Sequence, residues 1–460
     1  MSKLSNSNKS FGILGLGLSG TAAVDFMTKR GYKFIVWDDN PEAIKRVRKD
    51  LEICKPDDPA WSKIDYLIAS AGIPKLQSHK ILKKLKKNTK VICDIELFYM
   101  HFPDHKYIAV TGTNGKSTTT KLIEHLLTCD GQRAVACGNI GLPILSVKPA
   151  KGEIIVLEVS SYQLSLIKTF RPNVAVILNV TSDHLEWHGS MEAYVEAKKK
   201  IFCNQTSTDY LILNRDNSLL EELYKSLLPK NKMNLVPISS KKMLFNGMNI
   251  LENIIYDNVQ KTKIRLPKNK NLRGKHNAEN IISAYVAVSV LGSFCKRGMF
   301  RAVKSYPGLA HRLQFLGVVN SIEFINDSKA TNADSTEKAL ITLKGEGCDI
   351  YWIAGGLPKE GGISSIKSSL KGIKYAFLFG KAKEEFARVL DDINVRYNLA
   401  ETLDAAFDDA IEVITCMKGQ KKKILLFSPA CASFDQWKNF EERGERFIQL
   451  VEKYHQKGLK

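Results

Sequence analysis

No run in this chain approaches the roughly 20 consecutive apolar residues that cross a bilayer, so no membrane insertion is expected. Phe11–Val24 has the apolar character of a signal-peptide core, but its spaced glycines and the following Asp25 fit a strand and loop better. The nine cysteines are scattered and include no C-x-x-C pair. That argues against a zinc site or a disulfide framework and for reduced thiols in the cytoplasm. Acidic residues are in deficit: 48 Asp and Glu stand against 68 Lys and Arg, a formal net charge of +20. Lysines gather at Lys83–Lys90, Lys198–Lys200, Lys225–Lys275 and Lys418–Lys423. Such runs suit nucleic acid, yet no nucleic-acid motif accompanies them. The alternative is a lysine-rich surface that steers a substrate carrying several phosphates. No nucleic-acid partner is expected, and a monomer is.

What is present is apolar content, 44% of 460 residues, which supports sizeable cores. The length suggests about three domains of roughly 150 residues. The chain is organised around Ala109–Thr120, AVTGTNGKSTTT. A β-branched run, Tyr107–Thr111, leads in and a helix-compatible run, Ser117–Leu127, leads out. Between them Gly112, Thr113, Asn114 and Gly115 let backbone N–H groups turn toward an anion, and the helix N-terminus adds partial positive charge. Lys116 can reach terminal phosphates and the Ser117 hydroxyl can ligate Mg²⁺, with Thr118 next in line. Val110 stands where the common nucleotide-hydrolase loop has glycine.

Upstream, strand Phe11–Leu14, the turn Gly15–Gly20 (GLGLSG), a helix through Met27 and strand Lys33–Trp37 ending in Asp38-Asp39 form a dinucleotide-type fingerprint. Taken alone it fits NAD as readily as another nucleotide, and Asp38 suits either a ribose or a strand-end turn. Phe102-Pro103-Asp104-His105 reads as a linker, with a domain boundary near Ile95–His105. Downstream, Ile154–Leu157 ends in Glu158, and Val174–Val180 ends in Thr181-Ser182-Asp183-His184. The ends of three buried-type parallel strands converge on one edge, where ligands bind. Glu158 is a hard oxygen donor suited to Mg²⁺. In Met191–Phe202 the helical period puts Lys198 on one face with Met191, Tyr194, Val195, Ile201 and Phe202, while Lys199 and Lys200 point away. A lysine in an apolar stripe must snorkel, pair with an acid, or be chemically changed. Asn277 and Asn280 share one helical face. From Leu309 on, strands alternate with helices again, as in a second doubly wound sheet.

The loop GTNGKST after a strand resembles the loop of the Mur ligases and of their folylpolyglutamate synthase cousins. GLGLSG, ASAGIP (Ala69–Pro74), IELF (Ile95–Phe98), NVTSDH (Asn179–His184), the Y-x-x-A-K pattern ending at Lys198, GKHNAEN (Gly274–Asn280), HR (His311-Arg312), NDSKATN (Asn326–Asn332) and SPACASFDQWKNF (Ser428–Phe440) are similar to Mur ligase stretches. The resemblance covers nearly the whole chain. It implies an α/β protein of three domains: a Rossmann-like domain at 1–94 for a UDP substrate, a central P-loop ATPase-type domain with a parallel sheet at 95–308, and a C-terminal Rossmann-like domain at 309–460 for an amino acid. The activity it implies is ATP-driven addition of D-glutamate to UDP-N-acetylmuramoyl-L-alanine in peptidoglycan precursor synthesis. The implied cofactors are ATP and two Mg²⁺ ions, with Mn²⁺ as a substitute.

The same resemblance implies roles residue by residue. Leu18, Ser19, Asp38, Asp39, Gly72, Asn139 and Ser160 line the UDP-substrate site. Gly112–Thr118, Asn277, Asn280, Arg312 and Asp327 bind ATP, the two amides reading a purine edge and Asp327 the ribose. Ser117, Glu158, His184 and Lys198 hold metal, Lys198 as the carbamate formed with CO₂. Lys116, His184, Lys198, Arg312 and Lys329 act on the reacting groups, and Thr331, Lys359, Ser433, Phe434 and Phe440 receive D-glutamate. A folate-polyglutamylating ligase, an NAD-dependent oxidoreductase and a basic nucleic-acid-binding ATPase are the rival readings. The GLGLSG domain argues against the first, and the loop Gly112–Ser117 is left unexplained by the second.

Overall fold

The computed structural model describes residues 9–47, 51–73, 76–292, 296–359, 361–417, 419 and 421–458. Pro74 and Lys418, each within a stretch noted above, lie outside them. Among the described residues three sheets carry the fold. In the first, β1 (Phe11–Leu14), β2 (Phe34–Trp37), β3 (Glu52–Ile53), β4 (Tyr66–Ala69) and β5 (Lys90–Ile92) are all parallel in the order β3-β2-β1-β4-β5. This is the winding of a dinucleotide-type domain, with the glycine turn after the central β1.

The second sheet contains β6 (Tyr107–Thr111), β7 (Ala134–Gly138), β8 (Ile154–Glu158), β9 (Val174–Ile177), β10 (Tyr210–Asn214), β11 (Asn234–Ser239), β12 (Met248–Leu251), β13 (Ile254–Asp257) and β14 (Thr262–Arg265). Their order is β14-β13-β12-β11-β10-β9-β6-β8-β7, parallel except for the β12-β13-β14 meander. Every residue of β6, β8 and β9 is buried, as expected for β-branched runs covered on both faces. The helix Lys116–Cys129 packs on them through Leu122, Ile123, Leu126 and Leu127, an i, i+1, i+4, i+5 stripe. β9 stops at Ile177, short of the expected Val180, because Asn179 turns its polar groups onto the phosphate loop. The expected linker Phe102–His105 is irregular, while most of the boundary region before it is helical. Asp94–His101 is a helix, and buried Glu96 in it accepts the N–H groups of Lys168, Thr169 and Phe170 at 3.0, 2.7 and 3.0 Å.

The third sheet holds β15 (Gln314–Val319), β16 (Ile322–Asn326), β17 (Asp349–Gly355), β18 (Ile373–Phe379), β19 (Tyr397–Ala400) and β20 (Lys423–Phe427) in the order β15-β16-β20-β17-β18-β19. Only the β15–β16 pair is antiparallel. Period-2 alternation divides its core between the faces: Ile424 and Leu426 of β20 pack with one apolar cluster, Leu425 and Phe427 with the other. Contacts divide the chain into two compact units, Met1–Lys268 with Lys275–Ser305, and Asn269–Gly274 with Tyr306–Lys460. The short segment belongs to the second unit through Asn271, whose Oδ1 accepts the Phe315 N–H at 2.9 Å, and through Lys270, 2.9 Å from buried Glu323. Among the described residues no helix is long and apolar enough to cross a membrane.

Candidate active site

In the first unit the loop after β6 is held from behind. Asn179 is the template: its Oδ1 accepts the Asn114 N–H at 2.8 Å, its Nδ2 donates to the Asn114 carbonyl at 3.2 Å, and its carbonyl accepts the Thr113 N–H at 3.0 Å. The Thr113 hydroxyl accepts from the Thr181 N–H at 3.1 Å and lies 3.2 Å from the Tyr194 hydroxyl. Gly115 takes φ 84° as the residue before the helix Lys116–Cys129, and a Cβ there would overlap the Asn280 amide oxygen. Glycine is therefore required twice over at that position.

Two ammonium groups meet on the loop. Lys116 Nζ donates to the Gly112 and Thr113 carbonyls, both at 3.0 Å, and Lys198 Nζ donates to the same Gly112 carbonyl at 3.0 Å. Lys198 is 2% exposed and sits 4.4 Å from the Tyr194 ring centroid, so it does not snorkel. Burial, and after it the Lys116 charge, pulls its pKa down to about 7. Ser117 is buried at the helix start.

Glu158 ends β8 beside Val110 of β6 and is 3% exposed. Its Oε1 accepts from Asn139 Nδ2 at 3.1 Å, while Oε2 is buried with no hydrogen-bond partner. An orphaned, buried carboxylate oxygen at the phosphate edge is what a hard cation would satisfy, and the Ser117 hydroxyl is a second hard donor on that edge. No cluster of three or more His, Cys, Asp or Glu fit for a metal occurs among the described residues. A hard cation held there by Glu158 and Ser117 would fill its remaining positions with water or with phosphate oxygens. His184 is half-exposed in a left-handed conformation at φ 54°, a strained state for a side-chain-bearing residue. Its Nε2 lies 3.4 Å from Asp183 Oδ2, and its ring is 5.0 Å from Tyr162 and 6.4 Å from the same Tyr194 that Lys198 touches.

The expected adenine amides turn inward. Asn280 Nδ2 donates to Asn277 Oδ1 at 2.9 Å, and Asn280 Oδ1 accepts from the Thr119 hydroxyl at 3.1 Å. Both residues are buried, so Asn280 braces the phosphate loop through Thr119 and Gly115. At the UDP-type turn, Leu18 is 82% exposed. The Asp38 carboxylate accepts from the Leu16 N–H at 2.5 Å and the Asn40 N–H at 2.7 Å, which is its turn role. Asp39 accepts from Trp37 Nε1 at 2.9 Å and lies 3.1 Å from His79 Nε2, contacts that lower its pKa, the Trp37 bond most. Ser19 is the second residue of the helix Leu18–Thr28 that follows the glycine turn, and Gly72 is exposed in the turn after β4. Ser160 caps a short helix, Ser161–Ser165, in a reciprocal box with Gln163. Gln163 Nε2 donates in turn to buried Asp94 at 3.0 Å.

In the second unit, the loops after β16, β20 and β17 share one sheet edge. Asp327 is buried, accepting from the Ser428 hydroxyl at 2.8 Å and the Leu313 N–H at 3.1 Å. Burial pushes its carboxyl up to about 7 against those bonds and the Arg312 charge. Lys329 Nζ lies 4.9 Å from the Phe440 ring centroid, and its N–H donates to the His311 carbonyl at 3.0 Å. His311 is buried, which lowers its pKa, and the Asn326 amide donates to its Nδ1 at 3.0 Å. Leu357 and Ala432 form a reciprocal backbone pair at 2.9 and 3.1 Å. That pair links the loop of exposed Lys359 to the loop of buried Ser433 and of Phe434, which is 69% exposed. Thr331 is half-buried and Arg312 exposed.

Residues 9–93 match the family described as Mur ligase MurD-like, N-terminal domain, residues 110–288 the Mur ligase middle domain, and residues 311–431 the Mur ligase glutamate ligase domain. A curated protein of Rickettsia felis, named UDP-N-acetylmuramoylalanine--D-glutamate ligase, is 40% identical over 454 residues, 98% of this chain and 98% of its own. The chain belongs to the Mur ligase family. A second relative of that name, from Paramagnetospirillum magneticum, is 38% identical over 97% of each chain. Among solved structures, the UDP-N-acetylmuramate-alanine ligase MurC of Thermotoga maritima superposes with a TM-score of 0.58 at 18% identity, covering 97% of this chain and 99% of its own. MurF of Acinetobacter baumannii gives 0.59 at 16% identity over 78% and 79%. These two share the Mur ligase fold. Motif reading missed Asn179 as the template of the phosphate loop and Arg443 at the C-terminal edge. Asn179 lay inside NVTSDH, but the strand expected through Val180 hid it; β9 ends at Ile177 and frees it.

Proposed function

We propose that this Mur ligase joins D-glutamate to UDP-N-acetylmuramoyl-L-alanine, converting ATP to ADP and phosphate and forming a peptidoglycan precursor. The identity of about two residues in five over 98% of the chain to ligases of that name supports the substrates. The orphaned Glu158 oxygen beside the loop Gly112–Ser117 supports the chemistry. Residues 1–94 take the UDP substrate, 95–308 take ATP and 309–460 take the amino acid. The enzyme acts in the cytoplasm as a monomer.

The γ-phosphoryl group of ATP passes to the alanyl carboxylate, giving an acyl phosphate and ADP. The D-glutamate amine attacks the acyl carbon, and phosphate leaves from a tetrahedral intermediate as the amide forms. The loop N–H groups and Lys116 hold the phosphates. Lys116 must leave the Gly112 and Thr113 carbonyls to do so. Ser117 and Glu158 would hold one Mg²⁺, and His184 with carbamylated Lys198 a second; Mn²⁺ fits the same oxygen set. The ions supply charge neutralisation at the transferring phosphoryl group. The Lys198 ammonium first gives one proton to solvent; the neutral amine then attacks CO₂, a C–N bond forms as one C=O π pair moves to oxygen, and a second proton leaves, so that a cation is replaced by an anion. The anion then faces the Lys116 ammonium instead of repelling it. Asn139, Ser160 and the turns at Leu18–Ser19, Asp38–Asp39 and Gly72 receive the UDP substrate. In the first unit Asn277 and Asn280 serve ATP binding from behind the phosphate loop; in the second, Asp327 and Arg312 bind ATP and Lys329 lies close to phosphate. Lys359 and Ser433 take the two carboxylates of D-glutamate between Thr331, Phe434 and Phe440.

Phosphate release measured with ATP tests this reading. It is expected only when both the UDP-sugar alanine and D-glutamate are present, and to ignore DNA and NAD. Release stimulated by DNA, or independent of the amino acid, would overturn it.

A further inference from the structure

We propose that Arg443 is a positioning residue that clamps the amino-acid loop after β20 to the nucleotide loop after β16. The inference rests on the loop roles proposed above and extends them to a residue that touches no substrate.

Arg443 lies in the first turn of the helix Phe440–Gly458 and is 0% exposed. Its Nε donates to the Ser328 hydroxyl at 3.1 Å and its Nη2 to the Ser328 carbonyl at 2.8 Å. Its Nη1 donates to the carbonyls of Cys431 and Ala432 at 3.1 and 3.2 Å. Ser328 stands between Asp327 and Lys329, and Ala432 immediately precedes Ser433 and Phe434. The fork therefore holds one neighbour of each substrate group. Because Ala432 also pairs with Leu357 in both directions, the Lys359 loop is drawn into the same assembly. The Ser328 hydroxyl closes the circuit by donating to the Phe440 carbonyl at 2.9 Å.

All four of these bonds go to neutral oxygens, and Asp435 acts on the guanidinium only through space. A buried cation without a bonded carboxylate is costly, and an aliphatic side chain would fill the space at less cost. What the aliphatic chain cannot supply is a planar fork with fixed donors reaching two loops at once. The loop itself is strained. Ala430, directly before the two accepting carbonyls, is held at φ 57°, a left-handed state that side-chain-bearing residues rarely take. Such a state persists when surrounding bonds over-determine it, and the bonds to Cys431 and Ala432 do so here. Without the fork the Ala430 turn relaxes, Ser433 and Phe434 lose their placement, and D-glutamate binding suffers first.

The test is steady-state kinetics of the full-length enzyme with each of the three substrates varied in turn. Arg443→Lys keeps the charge and removes the fork. It is expected to raise KM for D-glutamate about tenfold, as losing a charged hydrogen bond at a buried site does. A smaller rise is expected for ATP and none for the UDP substrate, whose loops lie in the other unit. Adding Ala430→Gly to Arg443→Lys should recover part of the D-glutamate KM, because glycine takes the left-handed state without strain. Ser328→Ala, which removes only the hydroxyl, should shift the same KM in the same direction and guards against poor folding of the arginine variant. Lys359→Met, run in parallel, tests the loop assignment. If Lys359→Met raises the D-glutamate KM while Arg443→Lys and Ser328→Ala leave it unchanged, the clamp is overturned and the assignment stands. If Lys359→Met leaves that KM unchanged, the assignment fails and takes the clamp with it. Loss of thermal stability with all three KM values unchanged also overturns the clamp.

Discussion

A lysine amine that titrates near neutrality is a nucleophile at physiological pH, and burial beside Lys116 holds Lys198 in that state. Lys199, by contrast, is paired with Glu196 at 2.6 Å, and Lys200 donates to the Ser165 carbonyl at 2.7 Å. Lys198→Ala is therefore expected to lower kcat by about 10²- to 10³-fold, the usual cost of losing a transition-state electrostatic element. Lys199→Ala should stay near normal, and acetate should partly restore the Lys198 variant by filling the vacated place. Near-normal turnover of Lys198→Ala would refute the carbamate. Asp327 offers a second residue-scale test. Its folded pKa, about 7, lies above the ordinary carboxylate value of 3.8. The folded state binds the extra proton, so this group's contribution to stability is full below the ordinary value and lost as pH rises through about 7. Asp327→Asn removes that slope, so its denaturation midpoint relative to wild type should be higher at pH 8 than at pH 5. An equal difference at both pH values would show that Asp327 titrates normally.

At the scale of elements, the strand–loop–helix around Gly112–Ser117 was legible because its parts are local. A β-branched run, glycines and a helix-compatible run sit next to one another in the chain. Its support was not legible, because Asn179 and Asn280 come from β9's continuation and from the helix Lys275–Ser289. No periodicity in one segment reports a bond to another. Asn179→Ala removes the two side-chain bonds to Asn114 and leaves the loop N–H groups less well aimed. KM for ATP should rise about tenfold, with KM for D-glutamate unchanged. An unchanged ATP KM would mean that the helix N-terminus alone orients the loop.

At the scale of the whole molecule, a substrate with two carboxylates demands a donor at each end, and a site built for both rejects a partner lacking one, since buried donors are then left unpaired. Lys359 and Ser433 are the donors proposed here. Turnover of D-glutamate should exceed that of D-alanine or L-lysine by orders of magnitude, as measured by phosphate release. Comparable turnover of all three would leave only the general ligase chemistry standing. The formal charge of +20 belongs to this scale as well, as a field for anionic substrates rather than a determinant of fold.

Sequence alone determined the three α/β sheets, the position of the phosphate loop after β6 and the buried face of the helix carrying Lys198. Each of these follows from short-range pattern: β-branched apolar runs, glycine turns and the 3.6-residue repeat. Tertiary structure decided what the polar groups do once packed. Asp38 closes a turn, Asn277 and Asn280 bond to each other, and Lys116 and Lys198 share one carbonyl oxygen. Glu158 keeps one oxygen unsatisfied, and Arg443 reaches two loops more than ten residues from it. A side chain's type sets which bonds it can make. Which of them it makes depends on what the fold brings within about 3 Å, and that is a property of the assembled chain.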